Sequence, residues 1–84
     1  MSRRHVVEIR AFEYRPESLT VVAGDTVVWV NRDAVPHTAT SEEGVLDSGS
    51  IAAGDSWTRI ALEAGSDSYF CTFHPTMTGQ VQAQ

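Results

Sequence analysis

The sequence lacks most of the devices that hold a small domain together. Cys71 is its single cysteine, so no internal disulfide can form. Lysine is absent altogether, and six arginines face eleven acidic residues for a formal net charge of −5. No basic stripe is available to neutralise phosphates, which argues against nucleic acid as a partner. No run of about 18 apolar residues occurs, so no membrane span is expected. The opening Met1-Ser2-Arg3-Arg4-His5 is followed by no apolar stretch long enough for a signal peptide. Repeats, linkers and low-complexity segments are missing too. What remains is 84 residues, read as a single domain spanning 1–84. A domain of that size buries roughly 60–65% of the surface its unfolded chain exposes. With disulfides excluded, a metal is the staple still available.

Short β-rich runs occupy 5–12, 18–22, 26–31, 37–40, 56–62, 68–71 and 79–83. Pro16, Gly24-Asp25, Gly54-Asp55 and Gly65-Ser66-Asp67 punctuate them at the spacing of an antiparallel sandwich or barrel, so the fold class predicted is all-β. Val27-Val28-Trp29-Val30 is apolar without a break, which predicts a buried strand with Trp29 in the core. Thr58-Arg59-Ile60-Ala61-Leu62 alternates, as a strand with one solvated face does. The stretch 41–50 is acidic and rich in Ser and Gly, with Val45 and Leu46 its only apolar residues, and reads as a loop or irregular edge strand. Asp33, Glu42, Glu43 and Asp47 lack the Gly-centred spacing of a calcium loop and are read as a solvated face.

Chemistry concentrates in Cys71-Thr72-Phe73-His74-Pro75-Thr76-Met77, where thiol, imidazole and thioether follow a strand with two residues between each. A continuing strand would send Cys71 and His74 to opposite faces, so the backbone must turn for both to meet one ion. Pro75 and Gly79 are the turn points expected. One thiolate, imidazoles and a weak thioether suit copper in two oxidation states, in a trigonal His₂Cys set with a long axial Met. The second imidazole is best supplied by His37, at the start of a short run after the loop 31–36. His5, at the frayed N-terminal end, is a poor substitute. Structural zinc would call for four Cys or His ligands, where here there are three and a thioether.

Together Pro16, Leu19-Thr20-Val21, Ala23-Gly24-Asp25-Thr26-Val27, Trp29-Val30-Asn31, Pro36-His37 and the run from Tyr69 to Gly79 make the chain resemble the cupredoxin family, most of all its amicyanin and plastocyanin group. The two-and-two spacing around His74 is similar to the short amicyanin loop. The resemblance implies a Greek-key β-sandwich of about seven to eight strands and one type 1 copper ion. His37, Cys71 and His74 would be its strong ligands and Met77 the weak axial one. It further implies an electron carrier rather than an enzyme: a monomer, periplasmic or otherwise extracytoplasmic, passing single electrons between a redox protein donor and acceptor. Docking would use an apolar surface around the exposed His74, built from Ala34, Val35, Pro36, Phe73 and Pro75. A copper-delivery module is the alternative, disfavoured because only two Met are present, one of them the initiator. The sequence departs from the family at Thr38, commonly Asn, and at Phe73, Pro in amicyanins.

Overall fold

Apolar, β-branched and aromatic residues recurring at every second position draw the chain into extended segments with one buried face. In the computed structural model, which describes residues 2–61 and 63–84, these become seven strands: β1 (Arg4–Arg10), β2 (Glu13–Arg15), β3 (Ser18–Val21), β4 (Thr26–Asn31), β5 (Ser56–Ile60), β6 (Gly65–Cys71) and β7 (His74–Ala83). They form two sheets, ordered β2-β1-β4-β5 and β3-β7-β6. Pairing is antiparallel except between β1 and β4 and between β3 and β7, which run parallel. The fold is the all-β sandwich expected. Among the described residues, no helix is long and apolar enough to cross a membrane.

Val7 and Ile9 of β1, Val27 and Trp29 of β4, and Tyr69, Cys71, Met77 and Val81 of the facing sheet meet in the core. Trp29 is buried, as its apolar run predicts. Tyr69 joins the layers: its ring meets Trp29 edge-on at 5.5 Å and Tyr14 edge-on at 4.7 Å, a geometry aromatic quadrupoles favour. The ring also lies over Gly79, its register partner on β7. A Cβ at Gly79 would sit 2.5 Å from Tyr69 Cζ, so this glycine makes room for an aromatic ring rather than a turn.

The strand boundaries differ from expectation where side chains from elsewhere intervene. The run 5–12 breaks at Ala11-Phe12, both at positive φ, and the chain returns as β2. The run 37–40 is no continuous strand: His37 bridges Ile51, and Thr40 bridges Asp47 and Phe70. β6 begins early, at Gly65, because Gly65, Ser66 and Asp67 pair with Ala83, Gln82 and Val81. In β5 the inward positions are Trp57 and Arg59, while Ile60 is exposed; Arg59 Nη1 lies 3.3 Å from Asp67 Oδ2. Leu62, which closes the expected run 56–62, lies outside the described residues. The stretch 41–50 is irregular, as expected, and is pinned by fully buried Leu46, whose backbone exchanges hydrogen bonds with Ser41.

Candidate metal centre

At one end of the sandwich the β6–β7 connection is a two-residue turn, Thr72-Phe73, with Cys71 directly opposite His74. The turn thus falls before His74, not at Pro75 or Gly79, which lie within β7. A register shift between Phe70 and Cys71 twists the end of β6, a usual device for re-aiming a side chain. Cys71 Sγ and His74 Nδ1 come to 3.7 Å. Beyond His74, the consecutive exposed residues Pro75 and Thr76 shift the strand's alternation, so that Met77 also faces inward and is only 5% exposed.

His37 arrives from the loop after β4. Fully buried Asn31 shapes that loop by donating from Nδ2 to the carbonyls of Val35 and Ile51, both at 2.9 Å, and by accepting from the Asp33 N–H. Reciprocal backbone bonds between His37 and Ile51 then fix the histidine's own main chain. His37 Nδ1 lies 3.6 Å from Cys71 Sγ. His37, Cys71 and His74 each offer a ligand atom, all within 4.8 Å of one another. Metal–sulfur and metal–nitrogen bonds of about 2.3 and 2.0 Å at a trigonal angle place S and N about 3.7 Å apart. The observed sulfur–nitrogen spacings of 3.6 and 3.7 Å fit such an ion. His37 and Cys71 are fully buried and His74 is partly exposed. His5 stays away from this cluster, though not through fraying: it belongs to β1, with Nε2 2.9 Å from Asp25 Oδ2.

Groups around these atoms set their orientation. His37 Nε2 is 2.8 Å from Asp33 Oδ2, so the proton sits on the outer nitrogen and Nδ1 keeps its lone pair for a metal. Asp33 is therefore not the solvated acid its loop context implies. Burial pushes its carboxyl up, but donation from the N–H groups of Phe12 and Ala11 and from His37 outweighs this and holds it below the usual carboxylate range. The Thr38 N–H lies 3.4 Å from Cys71 Sγ. The Thr38 hydroxyl accepts from the Thr72 N–H at 2.9 Å and from the Thr40 hydroxyl at 3.1 Å, tying the His37 segment to the β6–β7 turn. Tyr14 donates its hydroxyl to the Thr38 carbonyl beneath. The ring of Phe12 meets those of His37 and His74 edge-on, with centroids at 5.2 and 4.7 Å. Sequence reasoning missed Phe12, Asn31 and Asp33; the Asn-Arg-Asp stretch ahead of His37 was the only local signal for the last two.

A thiol and two imidazoles converging at one end of an all-β sandwich define a cupredoxin-type metal centre. The chain belongs to the copper binding proteins of the plastocyanin/azurin family, whose model matches residues 2–84. It is 37% identical over 81 residues to amicyanin of Paracoccus denitrificans, and 33% identical over 75 residues to plastocyanin of Scenedesmus fuscus. The first match covers 90% of this chain and 62% of the amicyanin; the second covers 76% of each. The chain thus spans about six tenths of the amicyanin's length. Among solved structures, a methionine-to-glutamine mutant of amicyanin in the Cu(I) form superposes with a TM-score of 0.91 at 34% identity, covering 96% of this chain and 82% of the other.

Proposed function

We propose that the protein carries single electrons between redox proteins, with one type 1 copper ion held by His37, Cys71 and His74 and weakly by Met77. The observation that carries this reading is the sulfur–imidazole triangle, with His37 and Cys71 fully buried and His74 partly exposed, whose spacing suits a trigonal site and whose members are tied to the sandwich. Bound copper supplies the one-electron Cu(II)/Cu(I) couple. The chain's own residues hold the site's shape: Asn31 and Ile51 fix His37, the two-residue turn fixes Cys71 against His74, and the Thr38 hydroxyl ties the two segments together. Similar geometry in both oxidation states is what fast electron exchange needs. Burial of His37 and Cys71 favours this over copper delivery, which calls for ligands a second protein can reach.

We place the docking face at the partly exposed edge of His74. Ala34, Val35 and Pro36 of the loop before His37, and Phe73 and Pro75 on either side of His74 in the chain, are all exposed and would supply its apolar surface. An apolar face on a chain of net charge −5 suits redox partners with an apolar face and a basic rim. The role is that of a carrier, not an enzyme; it is assigned to a monomer, since one chain supplies the whole ligand set, and to an extracytoplasmic compartment. Voltammetry of the copper-loaded protein tests the central reading. A reversible one-electron wave, absent from Cys71→Ser, is expected. Copper bound without a reversible wave refutes the carrier role.

A further inference from the structure

The two-residue turn between β1 and β2 is made by Ala11 at φ 52° and Phe12 at φ 62°. Turns with two left-handed residues are normally built from Asn-Gly or Asp-Gly, because a Cβ is strained there. Strain of this kind persists only where surrounding groups enforce it, and it collects at functional sites. Here the enforcing group is Asp33. Its Oδ1 accepts the Ala11 N–H at 2.7 Å and its Oδ2 accepts the Phe12 N–H at 2.9 Å, while Oδ2 also lies 2.8 Å from His37 Nε2. One carboxylate therefore fixes both the strained turn and a ligand imidazole.

The turn holds a phenyl ring where glycine would satisfy the backbone. Phe12 is 47% exposed, an unfavourable place for a large apolar side chain unless its contacts matter. Those contacts are the edges of His37 and His74, two rings from separate parts of the chain whose own centroids are 5.2 Å apart. Buried His37 is already fixed by Asp33 and Ile51. His74 follows directly on the Thr72-Phe73 turn and is partly exposed. The Phe12 ring lies 4.7 Å from it, the shorter of its two imidazole contacts.

We propose that Phe12 is a positioning residue of the metal centre: held by the Asp33-locked turn, its ring wedges against both imidazoles and keeps His74 turned toward Cys71. The inference rests on the copper reading above. Departure of the partly exposed imidazole opens the way to metal loss, so the wedge slows copper release without touching the ion.

The test compares copper-loaded wild type with Phe12→Ala, Phe12→Tyr, Asp33→Asn and Ile60→Ala, following metal loss to an excess of strong chelator by the decay of the copper(II) absorption. Phe12→Ala is expected to release copper roughly 10-fold faster or more, the scale on which groups supporting a ligand act. Asp33→Asn should move the same way, Phe12→Tyr should retain the wild-type rate, and Ile60→Ala, an exposed apolar residue of β5 paired with Thr26 at the opposite end of β4 from the His37 loop, should leave it unchanged. Metal-free wild type supplies a readout that needs neither copper nor a variant: nuclear Overhauser contacts from the Phe12 ring to both imidazoles. Their absence, or wild-type release from Phe12→Ala, overturns the wedge while leaving the copper reading intact. A wild-type protein that shows these contacts but takes up no copper overturns the copper reading, and the wedge's role falls with it.

Discussion

Asn31 has no direct part in metal chemistry, yet its buried amide holds the loop that delivers His37. Asn31→Ala leaves the Val35 and Ile51 carbonyls without these donors and the Asp33 N–H without its acceptor. A loss of about 2–4 kcal/mol is expected from buried groups left unpaired, read as a lower urea midpoint of the metal-free protein. Thr38→Val removes the acceptor for the Thr72 N–H beside the Cys71 sulfur. Since hydrogen bonding around a ligand sulfur tunes a metal, the variant is expected to shift the reduction potential at a stability cost of only about 1 kcal/mol; an unmoved potential in voltammetry would contradict this. Cys71, His74 and Met77 could be picked out from sequence because their grouping is local, within seven residues. Asp33 could not: two of its donors, Ala11 and Phe12, lie more than twenty residues away, and only the folded chain makes it their shared acceptor.

Strand β4 forms as its unbroken apolar run dictates, since neither face needs a polar alternative. Elements whose ends depend on partners were less legible. Proline and glycine are good turn formers in isolation, which favours turns at Pro75 and Gly79. In the fold Thr72-Phe73 takes that role and Gly79 is reserved for the Tyr69 ring. Gly79→Ala tests the assignment. A turn glycine with free space would accept the methyl, whereas the Tyr69 ring must move here, at a cost of about 1–3 kcal/mol. Because Tyr69 packs on both Trp29 and Tyr14, near-ultraviolet circular dichroism should change with it. The break at Ala11-Phe12 was hidden for a related reason: neither residue signals a hairpin, and the carboxylate that permits one belongs to the loop after β4.

For the molecule as a whole, one source of pH sensitivity outside the metal centre is Asp25. Its carboxyl is held down at about 2, against an ordinary 3.8, by donation from the Arg3 N–H, from His5 and from the Val22 N–H. A depressed folded pKa means that this stabilisation is complete above the ordinary value and is lost as pH falls through about 2. Wild type is therefore expected to be more stable than Asp25→Asn at pH 5, with the gap closing toward pH 2; a gap independent of pH in urea unfolding would contradict this. The all-β class and the ligand-bearing end of the sandwich could be read from alternation and spacing, because both are periodic or local properties of the chain. Pairing of β1 with β4 and β3 with β7 could not, since parallel neighbours need long crossovers that leave no local mark. The claim on which everything else rests is one copper at the Cys71 triangle, and titrating Cu(II) into the metal-free protein under visible and electron paramagnetic resonance spectroscopy tests it most directly. An intense blue charge-transfer band with narrow copper hyperfine splitting, saturating at one equivalent and absent from Cys71→Ser, is the result expected. A pale tetragonal signal unchanged by that substitution would contradict it.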